Sequence, residues 1–307
     1  PSWDWHARAW VQPSQSRTML EVARRAASID RLGDAVAPGD TAGVAALARR
    51  VLAIARGGLQ RRARIDVDGN DESAYLDVLD YIAARSPQGA AHVRDRVRAA
   101  LAALAEEGDL ARLTWDGQSI TRRPPALPMG RAQVVPPPGG FLQATLEGEA
   151  ALLSAVRDFT AGASHVADLF SGCGTFSLPL AEAATVHAVE GLAAPLAVLD
   201  AAWRAAPGLN RVTTQIRDLA RRPLLADELN RLDAIVIDPP RAGAEAQARE
   251  IAASTVGRVA FVACDPVNFS RDAQLLAGGG FALTRLVVVD QFRWSPHVET
   301  VAEFVRT

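Results

Sequence analysis

Three short patterns combine chemically able residues with the place where an apolar run ends. In Asp168-Leu169-Phe170-Ser171-Gly172-Cys173-Gly174, the two glycines allow a backbone to pass close to a ligand. Asp238-Pro239-Pro240-Arg241 closes a second run, and a guanidinium at its fourth place suits a phosphate or a carboxylate. Cys264-Asp265-Pro266 closes a third. A helix N-terminus or a cation nearby would lower the Cys264 pKa from about 8.5 toward a reactive thiolate. From position alone, a structural cysteine and a nucleophile are both open readings. Cys173, inside the glycine turn, reads better as a small packing residue. Glu190 and Asp218 end two further runs, and an acid at Glu190 suits a ribose diol. A nicotinamide-binding domain would place an acid there too, but its fingerprint wants a third glycine where Ser177 stands. That reading also gives Asp238-Pro239-Pro240 and Cys264 no task.

The elements that must carry these patterns alternate. A helix over 146–159 leads to a strand over 165–170, then a strand over 185–190 with a helix over 193–205. A strand over 211–218 precedes a shorter helical stretch, and a strand over 233–238 precedes a helix over 245–253. The run 258–264 leads into a helix ending near 277, and strands over 281–290 and 298–305 close the chain with only a loop between them. Such alternation predicts an α/β fold, a parallel sheet with helices on both faces. The last strand, reached without a crossover helix, is expected to run antiparallel. Ligands in open sheets of this kind sit beyond the carboxyl ends of the strands, where every pattern above falls.

Before the proline-rich stretch 124–138 the sequence changes character, which places a domain boundary at 138. Residues 1–138 show amphipathic helices over 41–55 and 90–107, the latter ending at Gly108. They also show strand-like runs over 60–67 and 112–121 with a Trp115-Asp116-Gly117 turn. A smaller α+β accessory region is the expectation. Six arginines between Asp40 and Asp66 (Arg49, Arg50, Arg56, Arg61, Arg62, Arg64) meet no acid among them. They read equally as a grip for phosphates or as a solvated face.

The 307 residues are 49% hydrophobic and 22% charged, as in a globular protein with a real core. Net charge is −2, so no global basic signature for nucleic acid exists. No apolar run approaches the roughly 18 residues needed to cross a bilayer. Two cysteines exclude a disulfide framework or a four-thiolate metal site, and a cytoplasmic protein is expected. Because the chain begins at Pro1 rather than Met, a missing N-terminal piece is to be allowed for.

Over 139–307 these motifs, in their order, resemble the RNA uracil-5-methyltransferase family, class I enzymes dependent on S-adenosylmethionine and acting on ribosomal or transfer RNA. Phe141-Leu142-Gln143-Ala144-Thr145 is similar to its Phe-x-Gln-x-Asn segment, 168–176 to its cofactor loop, and Asp238-Pro239-Pro240-Arg241-Ala242-Gly243 to its fourth-strand motif. Val262-Ala263-Cys264-Asp265-Pro266 is similar to the segment carrying its nucleophile, and Asp290-Gln291-Phe292 with His297-Val298-Glu299 to its C-terminal signature. Thr145, Thr175 and Asp265 each stand where the family usually has Asn, Arg293 where it has Pro, and Pro296 where it often has Gly.

The resemblance implies methylation of carbon 5 of a uridine, in rRNA ahead of tRNA, with Cys264 as nucleophile and Glu299 as base. It implies cofactor binding by Gln143, Phe170, Gly172, Gly174, Thr175, Glu190 (ribose), Asp218 (adenine) and Asp238. Gln143, Asp238, Arg241 and His297 are the implied substrate contacts; Asp238 serves either the uracil edge or the cofactor's methionine end. His297 reads as a hydrogen-bond partner rather than a metal ligand. The N-terminal region would recognise RNA, and a monomer without metal is expected. Two alternatives stand beside this reading. One is a catalytically weakened RNA-binding relative. The other is methyl transfer to a different acceptor; for an exocyclic amine, Arg241 stands where a base-stacking aromatic would be needed.

Overall fold

The computed structural model describes residues 2–4, 9–11, 95, 98–99, 101–103, 105–106, 110–115, 118–291 and 297–307. The helix expected over 41–55, the run 60–67, the six arginines, Asp116, Gly117, Phe292, Arg293 and Pro296 lie outside the described residues. Within 90–107 the described residues are helical, with Leu101 and Ala105 buried.

Two compact units divide the chain, Pro1–Pro125 and Ala126–Thr307. In the first, β1 (Ser2–Asp4) pairs antiparallel with β2 (Ala9–Val11). The run 112–121 is a hairpin, β3 (Arg112–Trp115) against β4 (Gln118–Thr121).

The second unit opens on a hairpin inside the proline-rich stretch, β5 (Leu127–Met129) with β6 (Ala132–Val134). Its Met129, Ala132 and Val134 are buried in the core of that unit. Pro128 is tolerated in β5 because the strand has a single partner and an edge to spare.

A seven-stranded sheet follows. Its strands are β7 (His165–Leu169), β8 (Thr185–Glu190), β9 (Val212–Ile216), β10 (Ala234–Ile237), β11 (Arg258–Ala263), β12 (Phe281–Val289) and β13 (Glu299–Arg306). They lie in the order β12-β13-β11-β10-β7-β8-β9. Strands β7 to β11 are mutually parallel, and β13 enters antiparallel between β11 and β12. This is the expected α/β plan with a closing antiparallel strand.

Burial explains the sequence pattern. The central strand β10, Ala-Ile-Val-Ile, is buried on both faces and therefore reads as a continuous apolar run. Ala234 and Val236 join one core layer, Ile235 and Ile237 the other. Helix α1 (Leu146–Phe159) packs Leu152, Val156 and Phe159 on the first layer, where α2 (Ser177–Leu180) and α3 (Ala193–Ala205) also lie. Helices α4 (Ala226–Leu229), α5 (Glu245–Ala253) and α6 (Pro266–Gly278) cover the second. Thr145 caps α1, its Oγ1 accepting from Gly148 N at 2.9 Å, so Thr does locally what Asn would do.

Candidate active site

Strand order alone lines up the candidate residues. Along the carboxyl edge stand Cys264 after β11, Asp238 after β10, the 168–174 turn after β7, Glu190 at the end of β8 and Asp218 after β9. Because β13 runs the other way, its first residue, Glu299, arrives at this same edge. Register pairs Ala263 with Thr300, whose Oγ1 donates to Ala263 O at 3.1 Å. One step outward, Cys264 faces Glu299.

The turn after β7 is built from left-handed backbone: Phe170 (φ 62°) is the one such non-glycine among the described residues, with Gly172 (φ 53°) and Gly174 (φ 100°). The two glycines do different work. A Cβ at Gly172 would meet nothing within 4 Å, leaving the backbone open toward a ligand. A Cβ at Gly174 would lie 2.9 Å from Leu199 and 3.0 Å from Leu178. Its missing side chain thus seats α2 and α3 against the strand. Gly174→Ala is expected to cost about 1–3 kcal/mol, seen as a lowered urea or thermal midpoint. Gly172→Ala, strained only in its backbone, should lower the midpoint less.

Glu190 already holds this turn. Its Oε2 accepts from Gly172 N at 3.2 Å and its Oε1 from Leu192 N at 2.9 Å, with further lone pairs remaining. Asp218 closes its own turn, accepting from Ala220 N and Arg221 N at 3.1 and 3.2 Å. Cys173 is buried in the core, as a packing residue should be. Thr175 is half-buried beside it.

The sequence offered no role for Asp168, yet it is wholly buried. Ser177 Oγ donates to its Oδ2 at 2.5 Å, while Oδ1 has no partner. Burial pushes its carboxyl up to about 7, against the hydrogen bond from Ser177 that lowers it. An unmet carboxylate oxygen beside an open glycine turn fits a ligand's ammonium or amide. The detectable signal was an acid set inside an apolar run.

At the other end of the edge the groups are crowded. Burial, then the charges of Glu299 and Asp238, push the Cys264 thiol up to about 11. This overturns the expectation of a lowered thiol pKa, for a physical reason. Asp265 Oδ1 occupies the first N–H groups of α6 (Val267 N at 3.1 Å, Asn268 N at 3.0 Å), and its Oδ2 takes Arg241 Nε at 3.2 Å. Helix end and cation are both answered by one carboxylate, and Arg241 lowers the thiol only slightly. Burial raises Glu299 to about 7 and holds Asp238 well above the usual carboxylate range, with Glu299 and Asp168 adding to the latter.

Gln143 Nε2 donates to Asp238 Oδ2 at 3.4 Å, and Gln143 Oε1 accepts from Gln291 Nε2 at 2.9 Å. Gln291 was visible in the sequence only as part of a signature. His297 is half-buried two residues before Glu299. Close in the chain to these polar groups, Phe141, Leu192, Ile216 and Val267 are large apolar side chains left to water. Among the described residues, no three His, Cys, Asp or Glu are placed to hold a metal. No helix among them is long and apolar enough to cross a membrane.

Residues 139–306 match the profile of a family described as tRNA (Uracil-5-)-methyltransferase. An uncharacterized RNA methyltransferase of Caulobacter vibrioides is 47% identical over 229 residues, 74% of this chain and 55% of the relative. A 23S rRNA (uracil(1939)-C(5))-methyltransferase of Chromohalobacter salexigens is 38% identical over 173 residues, 55% of this chain and 35% of the relative. The chain spans about half the length of the first of these relatives and about a third of the second. Among solved structures, the Pyrococcus abyssi tRNA (uracil-54, C5)-methyltransferase in complex with S-adenosyl-L-homocysteine shares the fold. Its TM-score is 0.53 at 22% identity, covering 61% of this chain and 45% of that one.

Proposed function

The chain belongs to the tRNA (uracil-5-)-methyltransferase family, and from that premise we propose that it methylates carbon 5 of a uridine in RNA through a covalent bond from Cys264. The observation that carries this reading is the meeting of Cys264, Glu299 and Asp238 on three adjacent strands. The orphaned Asp168 Oδ1, the open backbone at Gly172 and the lone pairs of Glu190 fit S-adenosylmethionine. Asp168 would take its ammonium, Glu190 its ribose and Asp218 its adenine, between Leu192 and Ile216. Bound there, the cofactor supplies a methyl group on a sulfonium, an electrophile toward carbon.

Carbon 5 of uracil is a poor nucleophile until the ring is activated. Sulfur addition at carbon 6 makes carbons 4 and 5 an enolate, and carbon 5 can then take up the methyl group. A thiol at about 11 is protonated at rest, so its proton must leave as sulfur adds. Glu299, on the facing strand and ionisable near neutrality, is the acceptor we assign. Once it has released that proton to solvent, it removes the carbon-5 proton, and the thiolate departs. Asp238 and Gln143 would hold the uracil edge, while Arg241 and His297 would contact the substrate beside it. A stacked base must be flipped or lie in a single-stranded loop to reach this edge. Residues 1–138 would supply RNA recognition, and the similarity to a 23S rRNA enzyme favours rRNA. A soluble cytoplasmic monomer completes the proposal. Asp265 is accounted for as a helix cap, which removes one motive for a weakened relative.

The test is incubation with 5-fluorouridine-containing RNA and S-adenosylmethionine. Fluorine cannot leave as a proton does, so a denaturation-resistant protein–RNA adduct is expected. Measured cofactor binding without any adduct would overturn the reading.

A further inference from the structure

The loop from Asp238 to α5 has its backbone held by the helix that follows Cys264. Three side chains in the first two turns of α6 reach three of its peptide groups. Asn268 Nδ2 donates to Arg241 O at 2.9 Å, Arg271 Nη2 donates to Ala242 O at 3.1 Å, and Asp272 Oδ2 accepts from Ala244 N at 2.6 Å. Gly243 (φ 80°) makes the approach possible: a Cβ there would collide with Arg271 Nη2 and lie 2.6 Å from Asp272 Oδ2. The three side chains are also tied to one another. Arg271 Nη1 donates to Asn268 Oδ1 at 3.2 Å and its Nε to Asp272 Oδ1 at 2.8 Å, while Asp272 is wholly buried. Nothing in the reaction as described uses Asn268, Arg271 or Asp272.

Loop packing accounts for the contacts of Arg271 and Asp272. Those of Asn268 differ, because they converge on one residue. Arg241 Nε donates to Asp265 Oδ2 at 3.2 Å, and Asn268 Nδ2, besides holding the Arg241 carbonyl, reaches Asp265 Oδ1 at 3.3 Å. Arg271 fixes which way the Asn268 amide faces: it takes the oxygen, leaving the amide nitrogen for Arg241 and Asp265. Yet the Arg241 side chain so anchored is 48% exposed. A long cationic side chain half in water carries rotamer freedom that binding must remove. We propose that Asn268 is a positioning residue that presets Arg241 for a phosphate of the RNA. With its carbonyl and its Nε both fastened to the start of the helix behind Cys264, the guanidinium has less freedom left to lose on binding. The inference rests on the substrate contact proposed above for Arg241.

The test is a double-mutant cycle of Asn268→Ala and Arg241→Ala, read as adduct formation at varied concentrations of 5-fluorouridine-containing RNA. Alone, Asn268→Ala should raise the half-saturating RNA concentration by on the order of tenfold, with a smaller change in the maximal rate. In the Arg241→Ala background the same substitution should shift it by less than about twofold, because the residue it positions is gone. S-adenosylmethionine affinity, measured by calorimetry, should match the wild type throughout. Asn268→Leu, which keeps the volume and removes the donors, should repeat the pattern if Asn268→Ala does not fold. Equal losses in both backgrounds, an unmoved half-saturating concentration, or failure of both variants to fold would mean a structural role and overturn the inference. A wild-type protein that forms no adduct would instead refute the underlying reaction, and filter binding of the same RNA would then decide the inference by the same cycle.

Discussion

Cys264→Ala should abolish methyl transfer, by on the order of 10⁴-fold or more, and in the same preparation eliminate the 5-fluorouridine adduct. Both losses come from one atom. In the proposed reaction the ring is not activated without sulfur at carbon 6, and the other cysteine, Cys173, is buried in the core. S-adenosylmethionine binding, assigned above to the turn after β7, should be retained and can be measured by calorimetry. Cys173→Ala is the matching control: that thiol is buried among core side chains and should leave adduct formation intact. A Cys264→Ala protein that still methylates would place the acceptor elsewhere.

Glu299→Gln should separate the two halves of the reaction. Sulfur addition and methyl uptake can still occur, slowed by the poorer proton acceptor. Removal of the carbon-5 proton then fails, lowering turnover by about 10²–10⁴-fold. A methylated RNA–protein adduct should accumulate on ordinary uridine RNA, visible as a shifted band after denaturation. The pH dependence has a definite sign. A carboxyl raised to about 7 is protonated below that pH and useless as a base, so the wild-type rate should climb as pH rises through 7. In the variant that limb should vanish. Turnover without adduct would show that another group removes the proton.

The sequence made the layered plan readable because each element has a single burial pattern. Helix α1 was visible from its apolar stripe and β10 from its unbroken apolar run. The hairpin at 127–134 was obscured because its prolines read as a linker, while its few inward residues complete the core. Of the site, Cys264, Asp238 and Glu190 could be named because strand ends are legible. Their protonation states could not, since pKa depends on neighbours from other strands. Cys264 is the clearest case: the helix behind it was correctly expected, but a carboxylate occupying that helix end was not considered. Gln291 was hidden for a similar reason, its contacts with Gln143 and Gly148 joining segments distant in the chain.

Asp265 has a further consequence for how such a site can change over generations. Asparagine differs from it by exchanging one oxygen for an amide nitrogen. The remaining oxygen would still receive Val267 N and Asn268 N, so the helix would start as before. What would go is the ion pair to Arg241, and with it a tether on a positive charge that lowers the thiol. Nucleophile strength is thereby adjustable by a substitution that leaves the scaffold untouched, a dial separate from the fold.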